Sequence, residues 1–242
     1  MVEMGIDVVD VVSKSFRTLF GNQTVLIYAA IGGIISALLS AVFLSQFSAL
    51  SLTTGGITAA MIQSVLSLIG AALVALILVI LIDVFIRGSV ISAANLGKAA
   101  DMGKAAGQAM NRYLPFLFTL IVVAIAVGIG YVLLIIPGIY LTVKLSLAPV
   151  EAVVGRKGVV DSLSASWHAT DGNFWSIFLA ILLMLVVVLV ISGILGIALR
   201  IVGLAPAANF VSTFVGYAFT VMIVLIYQQI GVPAKKMGRR AK

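Results

Sequence analysis

Five stretches of this chain, 24–45, 60–86, 115–136, 174–199 and 207–230, run for more than twenty residues with scarcely a charge. A helix needs about 20 mostly apolar residues to cross a bilayer core of about 30 Å, so each run predicts a membrane span. A sixth, 139–154, is shorter and carries Lys144, Pro149 and Glu151. Barrel strands would alternate apolar and polar over about 10 residues. The sequence ILLMLVVVLVI at 181–191 is apolar on every side. The expected fold is therefore an all-α polytopic membrane protein with six transmembrane helices, forming a single membrane domain over 1–242.

Composition agrees with lipid as the solvent. The chain is 62% hydrophobic and 10% charged, against about 45–50% and about 25% for soluble domains. It has no cysteine, which excludes disulfides, thiolate metal sites and cysteine nucleophiles.

Basic residues set the expected orientation. Lys14, Arg17, Arg87, Lys98, Lys104, Arg112, Arg156 and Lys157 fall on one side of the six spans, and Arg200 falls on the other. The basic tail, 231–242, places Lys235, Lys236, Arg239, Arg240 and Lys242 on the first side. This predicts a cell-membrane protein with both termini cytoplasmic. Residues 1–21 include Glu3, Asp7 and Asp10 and lack a basic leader, so no cleaved signal peptide is expected.

The chain also matches itself. At a shift of 151, Val8, Val9, Asp10, Ser13, Ser15, Gly21 and Asn22 fall on Val159, Val160, Asp161, Ser164, Ser166, Gly172 and Asn173. A shift of 91 gives a more degenerate copy, with Asp10 on Asp101 and Thr24 on Pro115. Each copy reads as a short amphipathic helix, a polar turn and a pair of spans. The repeats cover about 6–86, 97–154 and 158–230. Because each starts on the cytoplasmic side, they predict a pseudo-threefold parallel repeat with three cytoplasmic interfacial helices. Small residues at helical spacing, Gly32, Ser36 and Ser40, then Ala124 and Gly128, Ser192 and Gly196, and Ser212, Gly216 and Thr220, predict packing faces between spans. A face left over from that packing would also serve a homo-oligomer.

Charges inside the bilayer cost about 2.5–3.5 kcal/mol each and mark candidate sites. Asp83, Arg87, Lys144 and Glu151 form the candidate intramembrane network. Asp83 and Arg87 stand four apart in the favourable order for a helical pair. Two cross-span alternatives are Arg87 with Glu151 and Asp83 with Lys144. Pro137 and Gly138 predict a turn between the third and fourth spans. Pro149 cannot donate to the Leu145 carbonyl, which predicts a kink or opening between Lys144 and Glu151. Trp167, Trp175 and Tyr113 are expected as interface anchors, and the tail as a ligand for anionic lipid headgroups. His168 alone makes a poor metal site.

The run Pro137-Gly138-Ile139-Tyr140 through Lys144 to Pro149 and Glu151, followed by Gly155, Ser166-Trp167-His168 and Gly172-Asn173-Phe174-Trp175, resembles a known family. It is similar to the integral-membrane domain associated with bacterial glycerophosphodiester phosphodiesterases and to related stand-alone six-span proteins. The resemblance covers roughly 136–175 and has His168 where the pattern has another basic residue. No soluble stretch is long enough for the phosphodiesterase catalytic domain, so the resemblance implies a membrane module and not that activity.

Motifs for metalloproteases, serine hydrolases, P-loop enzymes and dinucleotide binding are missing from the chain. The functional expectation is a non-enzymatic module engaging membrane lipids, anionic ones foremost, as scaffold, assembly element or lipid-handling protein. It needs no cofactor, metal or nucleic acid. The alternative is a small-solute or ion translocator built on the kinked fourth span. A dry, paired Lys144 would favour the former, and a water-accessible one the latter.

Overall fold

A lipid-facing backbone must bond within its own segment, so long apolar runs fold as helices. A computed structural model describes residues 6–48 and 59–230, and among these it is helical without strands. A short helix, α1 (Val8–Gly21), leads into two long ones, α2 (Gln23–Ser48) and α3 (Ala59–Leu96). Next come α4 (Met102–Asn111), α5 (Tyr113–Leu133) and a broken span, α6 (Ile135–Lys144) with α7 (Ala148–Val153). The described chain ends with α8 (Val159–Ala169), α9 (Phe174–Ile201) and α10 (Ala205–Ile230). Six segments are long and apolar enough to cross a membrane: Gln23–Val42, Val65–Leu96, Tyr113–Leu133, Ile135–Val153, Phe174–Ile201 and Ala205–Ile230.

Polar residues punctuate these runs where helix ends expose unbonded donors. The Asp7 carboxylate accepts the Asp10 N–H at 3.0 Å and starts α1. Asp101 accepts the Lys104 N–H at 3.4 Å and starts α4. Asn22 accepts from Thr24 and Val25 at 3.1 and 3.2 Å, so one side chain opens α2 where α1 stops. Its amide also donates to the Gly97 carbonyl at 2.8 Å. Thr24 donates to the Ala100 carbonyl at 3.0 Å and Tyr28 to the Met102 carbonyl at 2.9 Å. These bonds hold the α1–α2 junction against the α3–α4 junction. Gln228 near the end of α10 donates to Asn95 Oδ1 at 3.2 Å, so α10 ends at the same place. The short helices thus gather at one end of the bundle.

The core forms around α10, which packs on α1, α2, α3 and α9. Tyr217, Ala218, Val221, Met222, Val224 and Ile226 are buried along it. Small residues of α2 allow the close approach: a Cβ on Gly33 would meet the Phe210 ring at 2.7 Å, and one on Gly32 would overlap the Tyr217 hydroxyl. Thr213 donates to Ser36 across the same contact at 2.9 Å. The other predicted glycines differ. A Cβ on Gly128, Gly196 or Gly216 would meet nothing within 4 Å. The close contact on α5 is instead at Gly130, where a Cβ would lie 2.9 Å from the Gly138 Cα.

Two boundaries correct the expected layout. The second span does not stop near 86; α3 continues to Leu96. At 1.5 Å per residue its 38 residues measure about 57 Å, well beyond a bilayer core. No residue in the most apolar window of α3 is buried, whereas Val84, Ile86, Val90, Ile91, Ala93 and Ala94 are buried in the protein. The turn expected at Pro137 and Gly138 lies earlier, at Leu134, which is extended (φ −161°, ψ 149°) between α5 and α6. Pro137 sits in the first turn of α6, where its missing N–H costs no helical bond. Gly138 packs against the Tyr131 ring at a distance no Cβ could occupy.

Candidate functional site

The fourth span is interrupted where Pro149 predicts it. Pro149 cannot supply an N–H to Leu145, and α6 ends at Lys144 while α7 begins at Ala148. With 10 residues, α6 is about 15 Å long, half a bilayer core. The opened backbone is bonded from outside. Ser166 on α8, fully buried, donates its hydroxyl to the Lys144 carbonyl at 2.7 Å and accepts the Leu147 N–H at 3.2 Å. Buried backbone groups left without partners would be costly, and this one hydroxyl satisfies two of them.

Lys144 is 5% exposed. Its ammonium is paired with Asp171, from the turn between α8 and α9, and bonds the Trp167 carbonyl at 3.5 Å. It also lies 5.3 Å from the Trp167 ring centre and 5.8 Å from that of Tyr140, within cation–π range. The Lys144 hydrogen bond holds the Asp171 carboxyl below its ordinary value, with the charges of Lys144 and His168 adding to the effect. His168 Nδ1 stands 3.7 Å from the other Asp171 oxygen.

Glu151, 1% exposed, belongs to a separate cluster. One of its oxygens is 3.0 Å from the Lys157 ammonium and accepts from the Tyr227 hydroxyl at 3.4 Å. The other is buried without a partner. A Cβ on Gly155 would overlap the carboxylate, so glycine is needed for the chain to pass it. A third cluster sits on α3. Arg87 pairs with Asp83 at 2.5 Å, as the four-residue spacing predicts, and Asp83 also accepts from the Tyr217 hydroxyl at 2.9 Å. Arg87 lies 5.5 Å from the Tyr217 ring centre.

The four candidate charges therefore resolve into three local clusters and not one network. The cross-span alternatives, Arg87 with Glu151 and Asp83 with Lys144, are not formed; each charge has a nearer partner. Asp171, Ser166, Lys157 and Tyr217 complete the clusters, and spacing along one helix gives no signal for them. Only the recurrence of Ser166 opposite Ser15, both fully buried, marked it in the sequence. Among the expected anchors, Trp175 is 71% exposed and Trp167 packs edge-on to Tyr140. Tyr113 donates to the Leu81 carbonyl at 2.9 Å. Lys235, Lys236, Arg239, Arg240 and Lys242 lie outside the described residues. No group of three or more metal-ligating side chains occurs among the described residues.

Comparison of the sequence with known proteins finds likeness to membrane proteins. The chain is 32% identical over 98 residues to a UPF0259 membrane protein of Photorhabdus laumondii, covering 40% of this chain and 38% of that one. It is 30% identical over 94 residues to a UPF0259 membrane protein of Pectobacterium carotovorum, covering 38% of each. The aligned part thus spans well under half the length of these relatives. No family model matches the chain, and no solved structure does. Neither relative carries a name that links it to glycerophosphodiester phosphodiesterases, so the likeness found is to UPF0259 membrane proteins instead. With six apolar helices and these relatives, the chain is a multi-pass membrane protein.

Proposed function

We propose that this protein is a non-enzymatic membrane module that engages anionic lipids at the cytoplasmic leaflet, as a scaffold, assembly element or lipid-handling protein. In this reading both termini are cytoplasmic and the three short helices lie in the interface as parallel copies of one unit. The observation that carries it is the chemistry of the short-helix end. Large apolar side chains are exposed there, Val9 and Phe20 on α1, Met110 on α4, Val160 on α8 and Trp175 at the start of α9, and α1 and α4 also expose Arg17 and Lys104. Arg17, Lys104, Arg112 and Arg156 have no carboxylate partner among the described residues. Apolar groups at the acyl boundary with cations at the phosphates are what an interfacial helix requires.

The translocator reading needs a hydrated charge in the broken span. Lys144 is instead buried, ion-paired and flanked by two aromatic rings, an arrangement that suits a structural clamp.

The absence of native cysteine allows single labels to test the reading. Spin labels placed one at a time at Val9→Cys, Met110→Cys and Val160→Cys in proteoliposomes should show oxygen collision rates typical of the headgroup and upper acyl region. Labels that collide freely with a water-soluble nickel chelate, and weakly with oxygen, would count against interfacial helices.

A further inference from the structure

A cavity of about 330 Å³ opens at the short-helix end, lined by Gln108, Asn111, Arg112, Val153 and Arg156. Its size falls in the range of small-ligand sites, about 300–1,000 Å³. Its chemistry is one-sided. Two arginines line it, and neither guanidinium meets a carboxylate among the described residues. The Arg112 Nε is buried without a hydrogen-bond partner. Gln108 already uses its carbonyl oxygen to accept the Ser92 hydroxyl at 2.5 Å, which leaves its amide N–H groups as the free ones. Asn111 adds a second amide, and Val153 supplies an apolar wall.

Backbone conformation points the same way. Arg156 has φ +55°, a conformation that residues other than glycine rarely adopt. It follows Gly155, whose own lack of a side chain lets the loop clear Glu151. The loop from α7 to α8 is thus bent against the preference of an arginine, and the bend places Arg156 across from Arg112, at the α4–α5 junction. Strained positions of this kind concentrate at ligand sites.

From this juxtaposition we infer that the cavity is an oxyanion site for a phosphate group, carried by a lipid headgroup or by a free phosphate. Planar guanidinium groups bind phosphate oxygens in pairs of parallel bonds, and the amides of Gln108 and Asn111 supply further donors. The inference rests on the cavity and goes beyond the lipid-engaging reading, because a soluble phosphate would satisfy it equally.

The test uses the full chain in detergent micelles, wild type beside Arg112→Gln, Arg156→Gln and Arg200→Gln, the last outside the cavity at the end of α9. One arm titrates inorganic phosphate by calorimetry; the other titrates phosphatidic acid by native mass spectrometry. The expected result is saturable binding to the wild type in at least one arm, weakened about tenfold or more by each cavity variant and unchanged by Arg200→Gln. Inorganic phosphate binding identifies a free-phosphate site; binding by phosphatidic acid alone identifies a headgroup site. If Arg112→Gln lowers the melting temperature, Arg156→Gln decides, since its side chain is exposed and adds little to packing. Saturable binding in neither arm, or equal binding by wild type and cavity variants, overturns the inference. Loss of the inference with interfacial labels still at headgroup depth would leave the lipid-engaging reading standing.

Discussion

Ser166 closes the gap that opens after Lys144: its hydroxyl donates to the Lys144 carbonyl at 2.7 Å while accepting the Leu147 N–H at 3.2 Å. One side chain from α8 therefore replaces the helical bonds lost at the break. Substituting Ser166→Ala would leave both backbone groups buried and unpaired, at a cost of about 1–3 kcal/mol. Thermal unfolding in detergent should show a clear drop in melting temperature. An unchanged midpoint would mean that the break is satisfied some other way.

The pair of Lys144 with Asp171 makes a pH prediction. Asp171 is held below its ordinary value by the Lys144 hydrogen bond, so the unfolded chain binds this proton more readily than the folded one. Its contribution is complete above the ordinary carboxyl value of 3.8 and is lost as pH falls through the lowered folded value. The melting temperature of the wild type should decline on acidification from about pH 5 to about pH 2. Asp171→Asn should flatten that decline; an identical slope in the variant would show that other carboxyls set it.

Gly32 and Tyr217 are coupled by contact. A Cβ at Gly32 would displace the Tyr217 hydroxyl, which donates to Asp83 at 2.9 Å. Gly32→Ala and Tyr217→Phe should therefore each destabilise, with a double-mutant coupling of about 0.5–3 kcal/mol. Additive effects on unfolding would indicate that the tyrosine finds another seat without loss.

Overpacking should be felt at Gly130 as well. An alanine there meets the Gly138 Cα at 2.9 Å, backbone that cannot swing aside. Gly130→Ala is expected to cost about 1–3 kcal/mol, whereas Gly128→Ala, with nothing within 4 Å, should be close to neutral. Equal melting temperatures for the two variants would contradict the placement of α6 on α5.

The spans were legible because a bilayer imposes length and apolarity on every crossing, and that demand is written residue by residue. The break at Pro149 was legible for a similar reason, since a missing N–H is a property of the residue itself. Partner choice was not. Asp171 lies in a surface turn, and only the packing of α8 against α7 brings it to Lys144. Pro137 and Gly138 suggested a turn by their residue types. The fold uses one as an early helix residue and the other as a contact surface, two roles that local sequence does not separate. Matching positions also took on different bonds. Asp101 caps α4, whereas Asp10 pairs with Lys14 at 2.6 Å and leaves the capping of α1 to Asp7.

The most direct test of the lipid-engaging account is native mass spectrometry of the full chain released from nanodiscs containing equal amounts of anionic and zwitterionic phospholipid. The account predicts that the protein emerges with anionic lipid retained well above its share of the bilayer, and that Lys104→Gln with Arg17→Gln reduces the excess. Retention in proportion to the bilayer, the same in wild type and variant, would contradict it.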